Sequence, residues 1–367
     1  MFRRSSLRDR RSLDLGVDIA DVLSGSWRSS VSDLGIPADR LRSILPLLLG
    51  SGSAGLAWRR LERSPLAASP ELDIFRNAYI LNAAYASKQR LQVAELFGRL
   101  RKRGIEALLL KGCAVANLYA SPGLRPSGDI DVLVSPGQRF LAEDICHRFC
   151  VDLDHDVFVR FGKCHFSEIF AHSAVIDIAG CPVHTLGQED QLSFLSLHFL
   201  KHGAMRPLWL CDIAAAVETQ RSTFDWNRCF GRHSRWAEWI ACTVLLAKRV
   251  LGANFGKTAF PAKQQSLPHW FETAVLKQWG CQPPNLPLLE VQITREGLKP
   301  TIRSSLSHRW PNPIQATIDC NAPIDWKPRL PFQLRNCISR TWHFANRLGL
   351  ERFPEEMTVM GQSDFNS

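Results

Sequence analysis

Apolar positions recur at helical spacing over 38–49 and again over 54–62, and Gly50–Ser53 separates the two runs. A longer period extends from Pro70 to Lys102. There Leu72, Phe75, Tyr79, Ala83, Ala86, Val93, Phe97 and Leu100 form a stripe that only Arg90 interrupts. Arg101-Lys102-Arg103-Gly104 supplies a basic last turn and a glycine stop. The texture then changes. Ile105–Leu110 is a short, almost wholly apolar run ending at Lys111-Gly112, as a buried strand does. Cys113–Tyr119 suits a short helix, broken by Ser121-Pro122-Gly123. Asp129–Val134 alternates and then turns apolar, which predicts a strand. Phe140–Phe149 predicts a helix and Val151–Val159 a further strand. His165–Phe170 and Ala174–Ile178 read as a hairpin turning near His172-Ser173, ended by Gly180-Cys181-Pro182. Helical spacing returns in Gln191–His202, Trp209–Thr219 and Trp236–Leu251, and once more in Leu334–Leu348.

Short strands and helices alternating between two helical blocks predict an α+β fold with one small mixed sheet. Five regions follow: a basic, partly disordered N-terminal segment (1–35), a helical region (36–104), the sheet core (105–185), a helical region packed on that core (186–252), and a C-terminal region of Pro-rich connectors with a late helix (253–367). The three runs Ile105–Leu110, Asp129–Val134 and Ala174–Ile178 are expected in a single sheet.

Composition narrows the class. With 367 residues, 45% hydrophobic and 22% charged, the chain has room for a sizeable core and is neither fibrous nor disordered throughout. Lys plus Arg is 45 against 35 Asp plus Glu, a net charge of +10 that favours anionic partners. Part of that surplus crowds into Arg3, Arg4, Arg8, Arg10 and Arg11, a run that reads as a solvated tail. No stretch reaches the roughly 18–20 apolar residues of a spanning helix, and no apolar segment follows the arginines as a secretory signal requires. The 11 scattered cysteines fit reduced thiols and a cytoplasmic protein.

Candidate chemistry centres on Asp129-Ile130-Asp131. On a strand, residues i and i+2 share a face, so both carboxylates project into one space. Two such carboxylates repel each other unless a cation or proton lies between them. A hard cation such as Mg²⁺ takes one or two carboxylates together with substrate phosphates. Alone, Asp-x-Asp also occurs on solvated strand edges. Here Lys111-Gly112 ends the preceding strand, offering an amine and a backbone that a phosphate can approach, with the next helix N-terminus behind it. Arg125, just before Pro126-Ser127-Gly128, adds a bidentate phosphate donor. Lys111, Gly112, Arg125 and Ser127 are therefore the candidate substrate-binding residues.

These residues resemble a family. Leu108-Leu109-Leu110-Lys111-Gly112-Cys113-Ala114, then Leu118-Tyr119, then Arg125-Pro126-Ser127-Gly128-Asp129-Ile130-Asp131-Val132-Leu133-Val134 is similar to the signature of the uncharacterised bacterial nucleotidyltransferase family, within the DNA polymerase β-like nucleotidyltransferase superfamily. Leu197-His198-Phe199-Leu200-Lys201-His202-Gly203 and Leu208-Trp209-Leu210-Cys211-Asp212-Ile213 resemble that family's helical Leu-His-x-x-x-His-Gly and Trp-Leu-x-Asp segments. The resemblance covers roughly 40–250. It implies a small mixed-sheet nucleotidyltransferase core, and a third acid on a later strand. Val175-Ile176-Asp177-Ile178 looks like that strand, with Ala179 where a His is expected, so Asp177 is the first choice for the third carboxylate; Asp152, in Val151-Asp152-Leu153-Asp154, is the runner-up.

The expected activity is Mg²⁺-dependent (or Mn²⁺-dependent) transfer of a nucleoside monophosphate from a triphosphate such as ATP to an acceptor hydroxyl, with pyrophosphate released. Asp129, Asp131 and Asp177 hold the metal and do the chemistry in this reading. The acceptor is expected to be a small molecule, peptide or protein rather than nucleic acid. A related phosphoryl or nucleotidyl modification, and a binding protein that has lost catalysis, remain as alternatives. His198 and His202 lie four apart on one helical face, but no Glu follows His198, and they read as packing rather than zinc ligands. Cys146, Cys150 and Cys164 lack the paired spacing of a zinc site.

Overall fold

The computed structural model describes residues 2–149, 151–153, 165–255, 260–261, 267–281 and 310–347. The arginine-rich start is not a loose tail: it belongs to helix α1, Phe2–Leu23. Ile19, Val22 and Leu23 of α1 are buried. Gly16 lets a second helix approach so closely that a Cβ there would sit 1.9 Å from the carbonyl oxygen of Leu276. The packing partner is far away in sequence, so local charge density misled the reading of this segment.

Helices α2 (Ala38–Gly50), α3 (Ala54–Leu61) and α4 (Pro70–Lys102) follow. The expected limits of α4 are observed. Its N-cap Ser69 accepts a hydrogen bond from the Leu72 N–H, Pro70 opens the first turn with Glu71 and Asp73, and Arg99, Arg101 and Lys102 lie in the last. This helix serves two cores. Leu72 and Phe75 enter a large helical core, whereas Val93, Leu96, Phe97 and Leu100 pack under the sheet.

The sheet is built from β1 (Ala107–Leu109), β2 (Ile130–Val134), β3 (Val151–Leu153), β4 (Ala174–Ile178) and β5 (Cys181–Thr185), in the spatial order β3-β2-β1-β5-β4. The three runs expected in one sheet do share it. β1 pairs antiparallel with β2 and parallel with β5, β2 runs parallel to β3, and β4 and β5 form an antiparallel hairpin. Helices α5 (Cys113–Ala116), α6 (Arg139–His147) and α7 (Phe166–Ala171) lie between strands. Ile130, Val132 and Val134 face α4 and α6. Leu108, Leu110 and Leu133 face α7 and Phe194 of α8 (Gln188–Lys201).

The expected hairpin is displaced. Residues 166–171 form α7, because Phe166 and Ile169 bury one helical face against the sheet. The hairpin joins β4 to β5 instead and turns at Ala179-Gly180, both left-handed at φ 53° and 78°. Of Val151–Val159, β3 takes Val151–Leu153; residues 154–164 lie outside the described set.

The remaining described elements are helices: α9 (Pro207–Glu218), α10 (Trp226–Phe230), α11 (Ser234–Leu251), α12 (His269–Trp279), α13 (Pro313–Asp319) and α14 (Leu330–Arg347). α12 is the helix that Gly16 admits. Within the described residues no helix is long and apolar enough to cross a membrane, and the cysteines are free thiols; Cys150 and Cys164 lie outside the described set.

Candidate active site

β1 leaves the sheet where β2 enters it. The Leu110 N–H donates to the Asp131 carbonyl at 3.0 Å, so the ends of the two strands are level. Gly112 then takes φ 62°. A Cβ at this position would meet Ser127 Oγ at 2.5 Å and Asp129 O at 3.3 Å, so glycine is what lets the 111–113 turn lie against the 127–129 segment. The helix it opens, α5, spans four residues. The backbone amides of so short a helix add little dipole, which weakens the expectation of a helix N-terminus aimed at phosphate.

Asp131 is buried (8% exposed), and Lys111 Nζ lies 2.8 Å from its Oδ1. Lys111 therefore sets a positive charge against this acid at the end of the sheet. Asp129, one residue ahead of β2, is exposed. The parallel register pairs Asp131 with Asp152 of β3, and paired residues on neighbouring strands put their side chains on the same face, roughly 5 Å apart. Asp177 does not join them. It pairs with Pro182 near the hairpin turn, whereas Ala174 pairs with Thr185, and Thr185 with Leu109, at the site end of the sheet. That separation is roughly 13 Å along the strands and 14 Å across them from Asp131. Its exposed carboxylate accepts the Gly180 N–H inside the turn. The runner-up, Asp152, is thus the acid that the register places beside Asp131.

Among the described residues no three His, Cys, Asp or Glu side chains converge closely enough to hold a metal by themselves. The oxygen-only donors at 129, 131 and 152 fit a hard cation that takes one or two carboxylates and completes its shell with substrate and water.

Arg125 is not held out for phosphate. Its Nε and Nη2 donate to the two carboxylate oxygens of Asp212 in α9 at 2.8 and 2.9 Å, and Tyr119 Oη donates to Asp212 Oδ1 at 2.6 Å. Asp212 is fully buried and Arg125 nearly so. Burial pulls the guanidinium pKa down, and the Asp212 charge together with its hydrogen bonds more than offsets it, so Arg125 stays cationic. Burial, reinforced by the same carboxylate, pushes Tyr119 well above the ordinary phenol range and keeps it a donor. The Asp of the Trp-Leu-x-Asp segment thus clamps the core to the helical region.

Beside Gly112 lies a cavity of about 100 Å³, lined by Ala86, Arg90, Cys113, Asn117, Arg125 and Ser127 among others. Ser127 Oγ is buried without a hydrogen-bond partner. Gln89 supports the wall, donating to the Gly128 carbonyl at 2.8 Å and accepting from Cys113 Sγ at 3.4 Å. Burial raises the Cys113 thiol, with Arg90 and Arg125 pulling the other way, so it is a lining group and no nucleophile. Gln89 and Asn117 gave no signal in the sequence; Arg90 gave one, as the break in the α4 stripe. His198 and His202 pack with Trp209, ring centroids 4.6 to 5.3 Å apart, and build no metal cluster among the described residues.

A family model described as an uncharacterised nucleotidyltransferase matches this sequence over residues 43–148 and 146–252, which together make more than half of the chain. The chain belongs to that family. No curated protein and no solved structure matches it.

Proposed function

We propose that this member of the uncharacterised nucleotidyltransferase family moves a nucleoside monophosphate from a nucleoside triphosphate to an acceptor hydroxyl, at the sheet end formed by Asp129, Asp131 and Asp152. The observation that carries the reading is the register pairing of Asp131 with Asp152, with Asp129 two residues upstream and Lys111 at 2.8 Å. Three acids on one face and one lysine make a site that binds phosphate through a shared cation.

Asp129 and Asp131 would hold Mg²⁺, with Asp152 beside them. A bound divalent cation supplies charge neutralisation on the α-phosphate and on the departing pyrophosphate. The acceptor oxygen forms the new bond to the α-phosphorus while the bond to the bridging oxygen of the β-phosphate breaks, and the hydroxyl proton passes to a site carboxylate, for which Asp152 is the best placed. Lys111, released from Asp131 as the site fills, is left as an ammonium next to the phosphates and stabilises the charge that grows there. Gly112 keeps the backbone low enough for that approach. Arg125 contributes through position, holding 125–128 and hence Asp129 in place from its anchor on Asp212.

A turnover screen tests this: each of the common triphosphates with Mg²⁺ or Mn²⁺, candidate acceptors, and mass analysis of products. The expected product is an acceptor heavier by one nucleoside monophosphate, with pyrophosphate in equal amount. Asp131→Asn should reduce the rate on the order of a thousandfold, since several kcal/mol of charge stabilisation is lost. A nucleoside diphosphate together with an acceptor heavier by one phosphate would favour the related phosphoryl modification; binding without turnover on any acceptor would favour a protein that has lost catalysis.

A further inference from the structure

We infer that the cavity between α4, α5 and residues 122–127 is a subsite for a tetrahedral oxyanion, with Arg90 as its recognising cation and Ser127 as its buried donor. The inference rests on the nucleotidyl-transfer reading only for the source of the oxyanion.

Arg90 interrupts the apolar stripe of α4 and is half-buried. Its guanidinium is held loosely, by Asn117 Oδ1 at 3.3 Å and the Asp177 carbonyl at 3.5 Å, both neutral oxygens. No carboxylate of a described residue lies within ion-pair distance of it. The second arginine on the wall, Arg125, is already neutralised by Asp212. Among the described residues the cavity therefore carries one cation that no carboxylate pairs, a planar fork suited to phosphate oxygens, and, within its wall against Gly112, a buried hydroxyl with nothing to bond. A buried polar group without a partner costs free energy that a ligand oxygen would recover.

The cavity, about 100 Å³, has room for a phosphate group. The cavity lies on the α4 side of the sheet end, whereas Asp131 projects to the opposite side with Leu133. It is accordingly distinct from the metal-binding carboxylates and adjoins them through Gly112 and the 127–129 segment. The oxyanion is either a phosphate of the nucleotide donor or an acidic group of the acceptor.

Isothermal titration without metal decides the matter, using inorganic phosphate, pyrophosphate and ATP on wild type, Arg90→Gln, Arg90→Lys, Ser127→Ala and Asp131→Asn. Wild type is expected to bind phosphate or pyrophosphate, Arg90→Gln at least tenfold more weakly, Arg90→Lys in between, and Ser127→Ala severalfold more weakly. Asp131→Asn, which removes a nearby negative charge and frees Lys111, should bind at least as tightly as wild type. ATP affinity that falls in parallel assigns the subsite to the donor; ATP affinity that stays while phosphate is lost assigns it to the acceptor. Arg90→Gln binding phosphate and pyrophosphate as well as wild type, with an unchanged melting temperature, overturns the inference, and so does a wild type that binds neither anion at tens of millimolar. A failed turnover screen with intact anion binding would instead count against the nucleotidyl-transfer reading alone.

Discussion

At the scale of single residues, the strongest constraint is an ion pair that does no chemistry. Arg125 and Asp212 are far apart in sequence and share two hydrogen bonds in a buried space, with Tyr119 donating a third to the carboxylate. Removing one partner strands the other. Asp212→Ala should therefore cost about 3–5 kcal/mol in urea unfolding, while Asp212→Leu combined with Arg125→Met should cost clearly less, because no charge is left buried. A single-variant loss below about 1 kcal/mol would show that water reaches the pair. Both residues stood out in the sequence, Arg125 as a cation near the acids and Asp212 inside a recognisable helical segment. Their partnership did not, because pairing over such a distance leaves no local pattern. The same blindness made Arg125 look available for phosphate and left Arg90, which no carboxylate of a described residue pairs, as a mere interruption in a stripe.

At the scale of elements, local periodicity located most helices and strands, and tertiary packing decided the rest. Alternation and apolar content marked β1, β2 and β4, and the caps of α4 marked both its ends. The 165–170 run misread as a strand carries Phe166 and Ile169 at a spacing that either element accepts, and the sheet surface settles it as α7. β5 was hidden behind Pro182, which sits beyond the one β1 pair at Thr185 and so needs no N–H there. The β4–β5 turn holds a residue in an uncomfortable state. Ala179 at φ 53° bears a Cβ in the left-handed region, at a cost of roughly 1–2 kcal/mol. Ala179→Gly should relieve much of it and raise the melting temperature without altering turnover, and a lower melting temperature would mean that the turn is not left-handed in solution.

At the scale of the whole molecule, helices on both sides hold a five-stranded sheet, one end of which carries Lys111, Gly112 and the acids. The sequence pattern was enough to foresee an α+β core between helical blocks and to single out the Asp129–Asp131 pair. It was not enough to place Asp152 and Asp177 relative to that pair, because their positions depend on which strand lies beside β2 and in what register. Asp177 matched a strand motif and ended at the hairpin turn; Asp152 followed the pair closely in sequence and came to lie against Asp131.

The most direct test of the acid assignment is a thermal and urea unfolding series with and without Mg²⁺ and a non-hydrolysable triphosphate, on wild type and on the Asn variants of Asp131, Asp152 and Asp177. Ligand at about 100 times its dissociation constant should stabilise wild type by about 2.7 kcal/mol if the unfolded chain does not bind it. Asp131→Asn and Asp152→Asn should lose that stabilisation, and Asp177→Asn should keep it. A wild type that gains nothing from either ligand, or a stabilisation that survives at Asp152→Asn and disappears at Asp177→Asn, would contradict the site described here.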